Sequence, residues 1–153
     1  MYIDSIIKRR SIEQVLLIDV LEHVQDDLKA LKAINKILVN GGYLIISCPT
    51  PNFPFYFGME FDKSIGHLRH YTFIRLKKLL EQCEFKILDY YYYSNSVTST
   101  LCMIYYKILK NTIMRTSLML LLNMLGIILE KESKHCRNCS SIAILAVKVK
   151  DVD

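Results

Sequence analysis

Residues 12–52 read IEQVLLIDVLEHVQDDLKALKAINKILVNGGYLIISCPTPN, two apolar runs separated by one amphipathic segment. Val15-Leu-Leu-Ile18, closing on Asp19, lacks polar alternation, the pattern of a strand covered on both faces by helices. From Gln25 to Leu38 the residues Leu28, Leu31, Ile34, Ile37 and Leu38 recur at helical spacing. Asp26 and Asp27 lie in the first turn, where the helix dipole favours anions. Asn40-Gly41-Gly42 is expected to stop that helix, because either glycine can take the left-handed conformation that closes a helix C-terminus. Tyr43–Cys48 then reads as a second strand, and a strand-helix-strand unit of this kind defaults to a right-handed parallel crossover.

Working outward, Pro49, Pro51 and Pro54 argue against regular structure, so Pro49 to His70 reads as a long aromatic-rich excursion at the second strand's C-terminal end. Long loops in that position tend to be functional. Thr72 is expected to cap a helix running through Cys83, with Ile74, Leu76, Leu79 and Leu80 inward. Phe85–Tyr93 reads as a third strand, Val97–Leu129 as largely helical, and Ser141–Val149 as a last, alternating strand. The expected fold is α/β: one domain with an N-terminal segment 1–10, a core 11–93, a helical insertion 97–130 and a closing strand 141–150.

The composition, 52% apolar and 23% charged with a net charge of +5, excludes a disordered chain and a collagen-like or mucin-like fibre. At 153 residues it fits a single core. The positive charge concentrates between Leu101 and Cys139, where Lys107, Lys110, Arg115, Lys131, Lys134 and Arg137 face only Glu130 and Glu132. Five scattered cysteines and no secretory pattern at the start point to a reducing, cytoplasmic setting. His135-Cys136-Arg-Asn-Cys139 lacks a second cysteine pair for zinc and reads as a turn with two free thiols. The uncharged run 116–129 falls short of the roughly 20 residues needed to span a bilayer. It is either a buried helix or, flanked by lysines, an interfacial one that makes 101–134 a peripheral membrane contact. With only Tyr105 and Tyr106 for stacking, the segment does not read as a nucleic-acid surface.

In open α/β sheets ligands gather outside the carboxyl ends of the strands, here at Asp19-Val-Leu-Glu22-His23-Val and Pro49-Thr-Pro51-Asn52-Phe53. Residues 12–52 resemble the fourth strand, following helix and fifth strand of class I S-adenosylmethionine (SAM)-dependent methyltransferases, with a V-L-E-H-V turn, a G-G after the helix and a strand ending in P-x-P-N. The later GHLRHYTFIRLKKLLEQCEFKIL resembles that family's H-x-x-x-F-T helix and G-F-x-I strand, with Glu84 where glycine is usual. The resemblance implies a Rossmann-like, doubly wound sheet with SAM as cofactor and methyl transfer to an oxygen, nitrogen or carbon acceptor. It implies that Asp19, Leu21 and Glu22 line the cofactor, that His23 and His67 take catalytic roles, and that Asn52, His67 and His70 meet the acceptor.

The departure from the family is as informative. The five glycines, Gly41, Gly42, Gly58, Gly66 and Gly126, contain no G-x-G pair, so the loop that lets a backbone approach the cofactor is absent. The chain therefore resembles the family's C-terminal half, strands four to seven. Its strand at 15–18 is expected to present an unpaired apolar edge, to be covered by a second copy, by a separate N-terminal polypeptide or by Met1 to Arg10. The competing class is a non-catalytic relic or regulatory subunit. No metal is assigned. A weaker variant resembles small-RNA 2′-O-methyltransferases, with Asp19, Glu22, His23 and His67 or His70 as an oxygen-rich set for Mg²⁺ or Mn²⁺. His67, Arg69, His70 and Tyr71, with Phe53, Phe55, Tyr56, Phe57 and Phe61, form either a lid over the acceptor or an aromatic plug at the sheet's end.

Overall fold

The computed structural model describes residues 11–104, 121, 124, 125, 128, 134 and 138–149. Four strands, β1 (Ile12–Ile18), β2 (Leu38–Pro49), β3 (Phe85–Tyr93) and β4 (Ser141–Lys148), form one sheet in the order β1-β2-β4-β3. β1 and β2 are parallel, whereas β4 runs antiparallel to both β2 and β3. Helix α1 (Asp27–Ile37) joins β1 to β2, and α4 (Phe73–Glu81) leads into β3. The core is formed by Leu21, Leu31, Leu44, Ile46, Leu76, Leu80, Phe85, Ile142 and Ile144, all buried.

The strand-helix-strand unit forms as expected, with two corrections. β1 is not covered on both faces: Val15 and Leu17 pack on the core, while Leu16 is 63% and Ile18 52% exposed. Successive side chains of a strand point to opposite faces, and among the described residues nothing covers the second face or pairs with β1 besides β2. Nor does a glycine close α1. The helix ends at Ile37, and Lys148 Nζ donates to the carbonyls of Asn35 at 2.8 Å and Leu38 at 3.2 Å. A buried ammonium thus satisfies carbonyls that a left-handed glycine would otherwise serve. The glycines instead carry an excursion between the register pairs Ile12↔Leu38 and Gln14↔Tyr43. Gly41 sits at φ 80°, and a Cβ on Gly42 would lie 2.9 Å from the Val39 carbonyl oxygen.

The excursion after β2 is more regular than its prolines suggest, for it holds α2 (Phe53–Phe57) and α3 (Met59–Ser64). Pro54 lies in the first turn of α2, where its missing N–H deprives the helix of nothing. Thr72 caps α4 as expected, its Oγ1 accepting from Arg75 N at 3.2 Å. Leu76 and Leu80 face the core and Leu79 packs against it, but Ile74 is exposed, because it lies about 200° around the helix from Leu76 at 100° per residue. Of the expected helix over 97–129, α5 (Ser96–Ile104) is described, together with helical Leu121, Met124, Leu125 and Ile128. The remainder, and Met1 to Arg10, lie outside the described residues. Cys139 is disulfide-bonded, which overturns the reading of 136–139 as a turn with two free thiols; Cys48 and Cys83 are free and buried. Among the described residues no helix is long and apolar enough to cross a membrane.

Candidate functional site

The chain leaves β1 through Asp19, whose left-handed backbone (φ 51°) turns it sharply at the sheet's carboxyl end. The turn is held by β2: Asp19 N donates to the Ser47 carbonyl at 3.1 Å, and Ser47 Oγ donates to Asp19 Oδ1 at 2.8 Å. Asn and Asp visit this conformation most readily among non-glycine residues, and the ordered result is a 3₁₀ turn over Leu21–His23. Its side chains diverge. Leu21 enters the core, Glu22 is fully buried, and His23 keeps 39% of its side chain exposed.

The segment 66–71 is clamped over this turn. Leu68 N donates to the Glu22 carbonyl at 3.0 Å and Tyr71 N to the Pro49 carbonyl at 2.9 Å. Tyr71 OH donates to Asp27 Oδ2 at 2.9 Å and contacts the Leu21 carbonyl oxygen at 3.3 Å. Arg69 pairs with Asp27 Oδ2 at 3.1 Å and donates to the Gln25 carbonyl at 2.7 Å. Burial, then the adjoining Asp27 carboxylate, raise the Tyr71 pKa well above the usual phenol range, so it stays a donor.

That clamp brings two histidines, His23 and His67, to Glu22, and a third, His70, to Asp62. His23 Nδ1 lies 3.0 Å from the Gly66 carbonyl oxygen, and His67 Nδ1 lies 2.7 Å from Asp62 Oδ1. Their Nε2 atoms stand 4.0 Å and 3.8 Å from Glu22 Oε1. His70 Nε2 contacts the same Asp62 oxygen at 2.9 Å, and the Phe53 ring lies 4.9 Å from the His67 ring. Among the described residues neither Glu22 carboxylate oxygen has a hydrogen-bond partner. Burial raises the Glu22 pKa; its own peptide group opposes this in part, Asp19 adds to it, and His23 and His70 oppose it.

Of the residues singled out in the sequence, Glu22, His23, His67 and His70 meet in one cluster, and Asp19 joins Ser47 beside it. Asn52 stands before α2, with its Nδ2 donating to the Cys139 carbonyl at 3.1 Å. Sequence reasoning missed Asp62, buried and shared by His67 and His70, and it missed Ser47. Asp62 had a signal, an acid five and eight residues before two histidines. Ser47, inside an apolar strand, had none. In the 66–71 segment Arg69 and Tyr71 are fastened to α1, while His67 and His70 turn to Asp62.

No family model matches the sequence, and no curated protein matches it either. Solved structures do. A SAM-dependent methyltransferase of Thermotoga maritima is 18% identical with a TM-score of 0.58, covering 93% of this chain and 58% of its own. A SAM-dependent methyltransferase of Archaeoglobus fulgidus is 16% identical with a TM-score of 0.56, covering 93% and 62%. The complex between the Haloferax volcanii Trm112 methyltransferase activator and a protein described as a methyltransferase matches at 12% identity and a TM-score of 0.55, covering 94% and 57%. The chain has the fold of class I SAM-dependent methyltransferases, and it spans less than two thirds of the length of these structures.

Proposed function

We propose that the chain supplies the C-terminal part of a class I SAM-dependent methyltransferase domain, with β1, β2, β3 and β4 as that fold's fourth, fifth, sixth and seventh strands and residues 97–130 as an insertion. The observation that carries this reading is the order β1-β2-β4-β3, parallel then antiparallel, with an acid and histidine cluster at the carboxyl ends of β1 and β2. Asp19, Leu21 and Glu22 then stand toward the cofactor's methionine end. His23, His67, His70 and Asn52 stand toward the acceptor. Bound there, SAM would supply an electrophilic methyl group that an acceptor lone pair displaces from the sulfonium sulfur, and these residues would contribute by holding the acceptor in line. The surrounding geometry, two imidazoles whose Nδ1 atoms are pinned, supports an orienting role.

The strands that carry the cofactor's glycine-rich loop pair along β1 and come from a separate polypeptide, because this sequence holds no G-x-G, whereas a second copy would cover the edge without supplying that loop; the edge position of β1 and the exposed Leu16 and Ile18 support an occupied edge. Titration calorimetry with SAM, on the chain alone and mixed with a polypeptide bearing strands one to three of such a domain, tests the reading alongside mass in solution. Micromolar binding in the mixture is expected. Absence of binding in both gives way to the competing reading, a non-catalytic subunit. A contact with anionic membranes through 101–134 is supported by Leu121, Met124, Leu125 and Ile128, which are exposed at helical spacing. Co-sedimentation with phosphatidylserine vesicles is expected to drop at least about tenfold in a Leu121→Glu/Ile128→Glu double variant, because each substitution removes roughly 1.5–3 kcal/mol of buried side chain. Equal sedimentation of parent and variant removes the contact.

A further inference from the structure

We propose that Glu22, His23 and His67 form a binding site for a divalent first-row transition-metal ion, zinc above all. One ligand atom from each lies within 4.8 Å of the others. The ring nitrogens decide what faces inward. A carbonyl oxygen only accepts, so His23 Nδ1, 3.0 Å from the Gly66 carbonyl, carries the proton. His67 Nδ1 donates to the buried Asp62 carboxylate at 2.7 Å. In the neutral rings both Nε2 atoms then keep a lone pair, and they lie 4.0 Å and 3.8 Å from Glu22 Oε1, whose carboxylate oxygens accept no hydrogen bond among the described residues. Three acceptors converge with no donor between them, an arrangement a cation satisfies.

The spacing separates an ion from a proton. Imidazolium N–H groups bonded to Glu22 would bring the heavy atoms to about 2.7–2.9 Å, and the observed separations are 3.8 Å and 4.0 Å. Tetrahedral ligands each about 2.0–2.1 Å from one zinc ion stand about 3.3–3.4 Å apart, so the separations of 3.8 Å and 4.0 Å close by roughly half an ångström around an ion, far less than a hydrogen bond to Glu22 would require. The neighbouring group of Asp62, His67 and His70 is different. Its contacts of 2.7 Å and 2.9 Å are hydrogen bonds, and Asp62 there serves as the outer partner that orients a ligating imidazole. Two imidazoles and one carboxylate, with coordination positions left over, suit zinc, cobalt or iron better than magnesium. Asp19, held by Ser47, lies outside the set. The site deepens the methyl-transfer reading by giving an oxygen acceptor an anchor, yet its test uses neither cofactor nor acceptor.

The test is titration of the chelator-treated full chain with Zn²⁺, paired with the visible spectrum of its Co²⁺ form. One ion per chain and a higher melting temperature are expected. So are cobalt bands without the sulfur charge transfer that binding at Cys48, Cys83 or other thiols would produce. Glu22→Gln and His67→Ala each weaken binding by more than the roughly 10–100-fold expected for the outer-partner variant Asp62→Asn. Glu22→Gln keeps the side chain's size and shape while replacing a ligating carboxylate, so the variant is expected to keep the fold and lose the ion. No stoichiometric binding, thiolate ligation, or equal affinity in the Glu22→Gln and His67→Ala variants overturns the site.

Discussion

Two buried polar clusters flank the turn after β1, and they are built on opposite terms. Around Asp27, the Tyr71 hydroxyl at 2.9 Å and the Arg69 guanidinium at 3.1 Å bond one carboxylate, with the half-exposed Arg75 at 3.6 Å, so the carboxylate has both a donor and a countercharge. Around Glu22, a carboxylate of deeper burial meets two imidazoles at 3.8–4.0 Å and accepts no hydrogen bond among the described residues. Both clusters are held by one run of chain, 66–71. The first fastens that run to α1; the second is what the fastening brings together. A fold keeps an unmatched buried charge only when neighbouring contacts hold it in place, and here the Asp27 clamp supplies that hold.

The sharpest way to break the contrast is Asp27→Ala. It leaves the buried Tyr71 hydroxyl without its carboxylate acceptor, while Arg69 keeps the Gln25 carbonyl and Arg75 is half exposed to solvent, and a loss of about 1–3 kcal/mol in urea unfolding is expected, the scale for an unsatisfied buried polar group. A loss under about 0.5 kcal/mol would mean the clamp is ornamental. Glu22→Gln should act with the opposite sign. In metal-free protein at neutral pH it is expected to stabilise by about 1–3 kcal/mol, the cost of an unsatisfied buried polar group. Because the Glu22 pKa is raised in the folded state, the parent's penalty grows as pH climbs above the ordinary carboxylate range and vanishes below it. Parent and variant should therefore unfold alike at acid pH and diverge toward pH 7. A gap independent of pH would place the effect in packing instead.

Much of this was legible in residues 12–52. Apolar runs marked β1 and β2, helical spacing marked α1, and V-L-E-H-V marked where ligands gather. The differences have separate causes. Gly41 and Gly42 were read as a helix stop, but Lys148, more than a hundred positions away, closes α1. Pro54 was read as a breaker and proved a helix starter. Val15 to Ile18 was read as buried on both faces, although hydropathy alone does not say whether a neighbour is there to cover Leu16 and Ile18.

The sequence by itself determined the order of the four strands with α1 and α4, the α/β class and the chemistry gathered near Glu22, because periodicity and turn residues act over a few positions. Only the tertiary structure decided that His23 and His67 would converge on that carboxylate, with Asp62 behind His67. Their approach depends on a clamp between residues 27, 69 and 71 and on Gly66 turning the chain at φ 84°. A carboxylate's partners are set by distances through space, and local pattern carries no record of those.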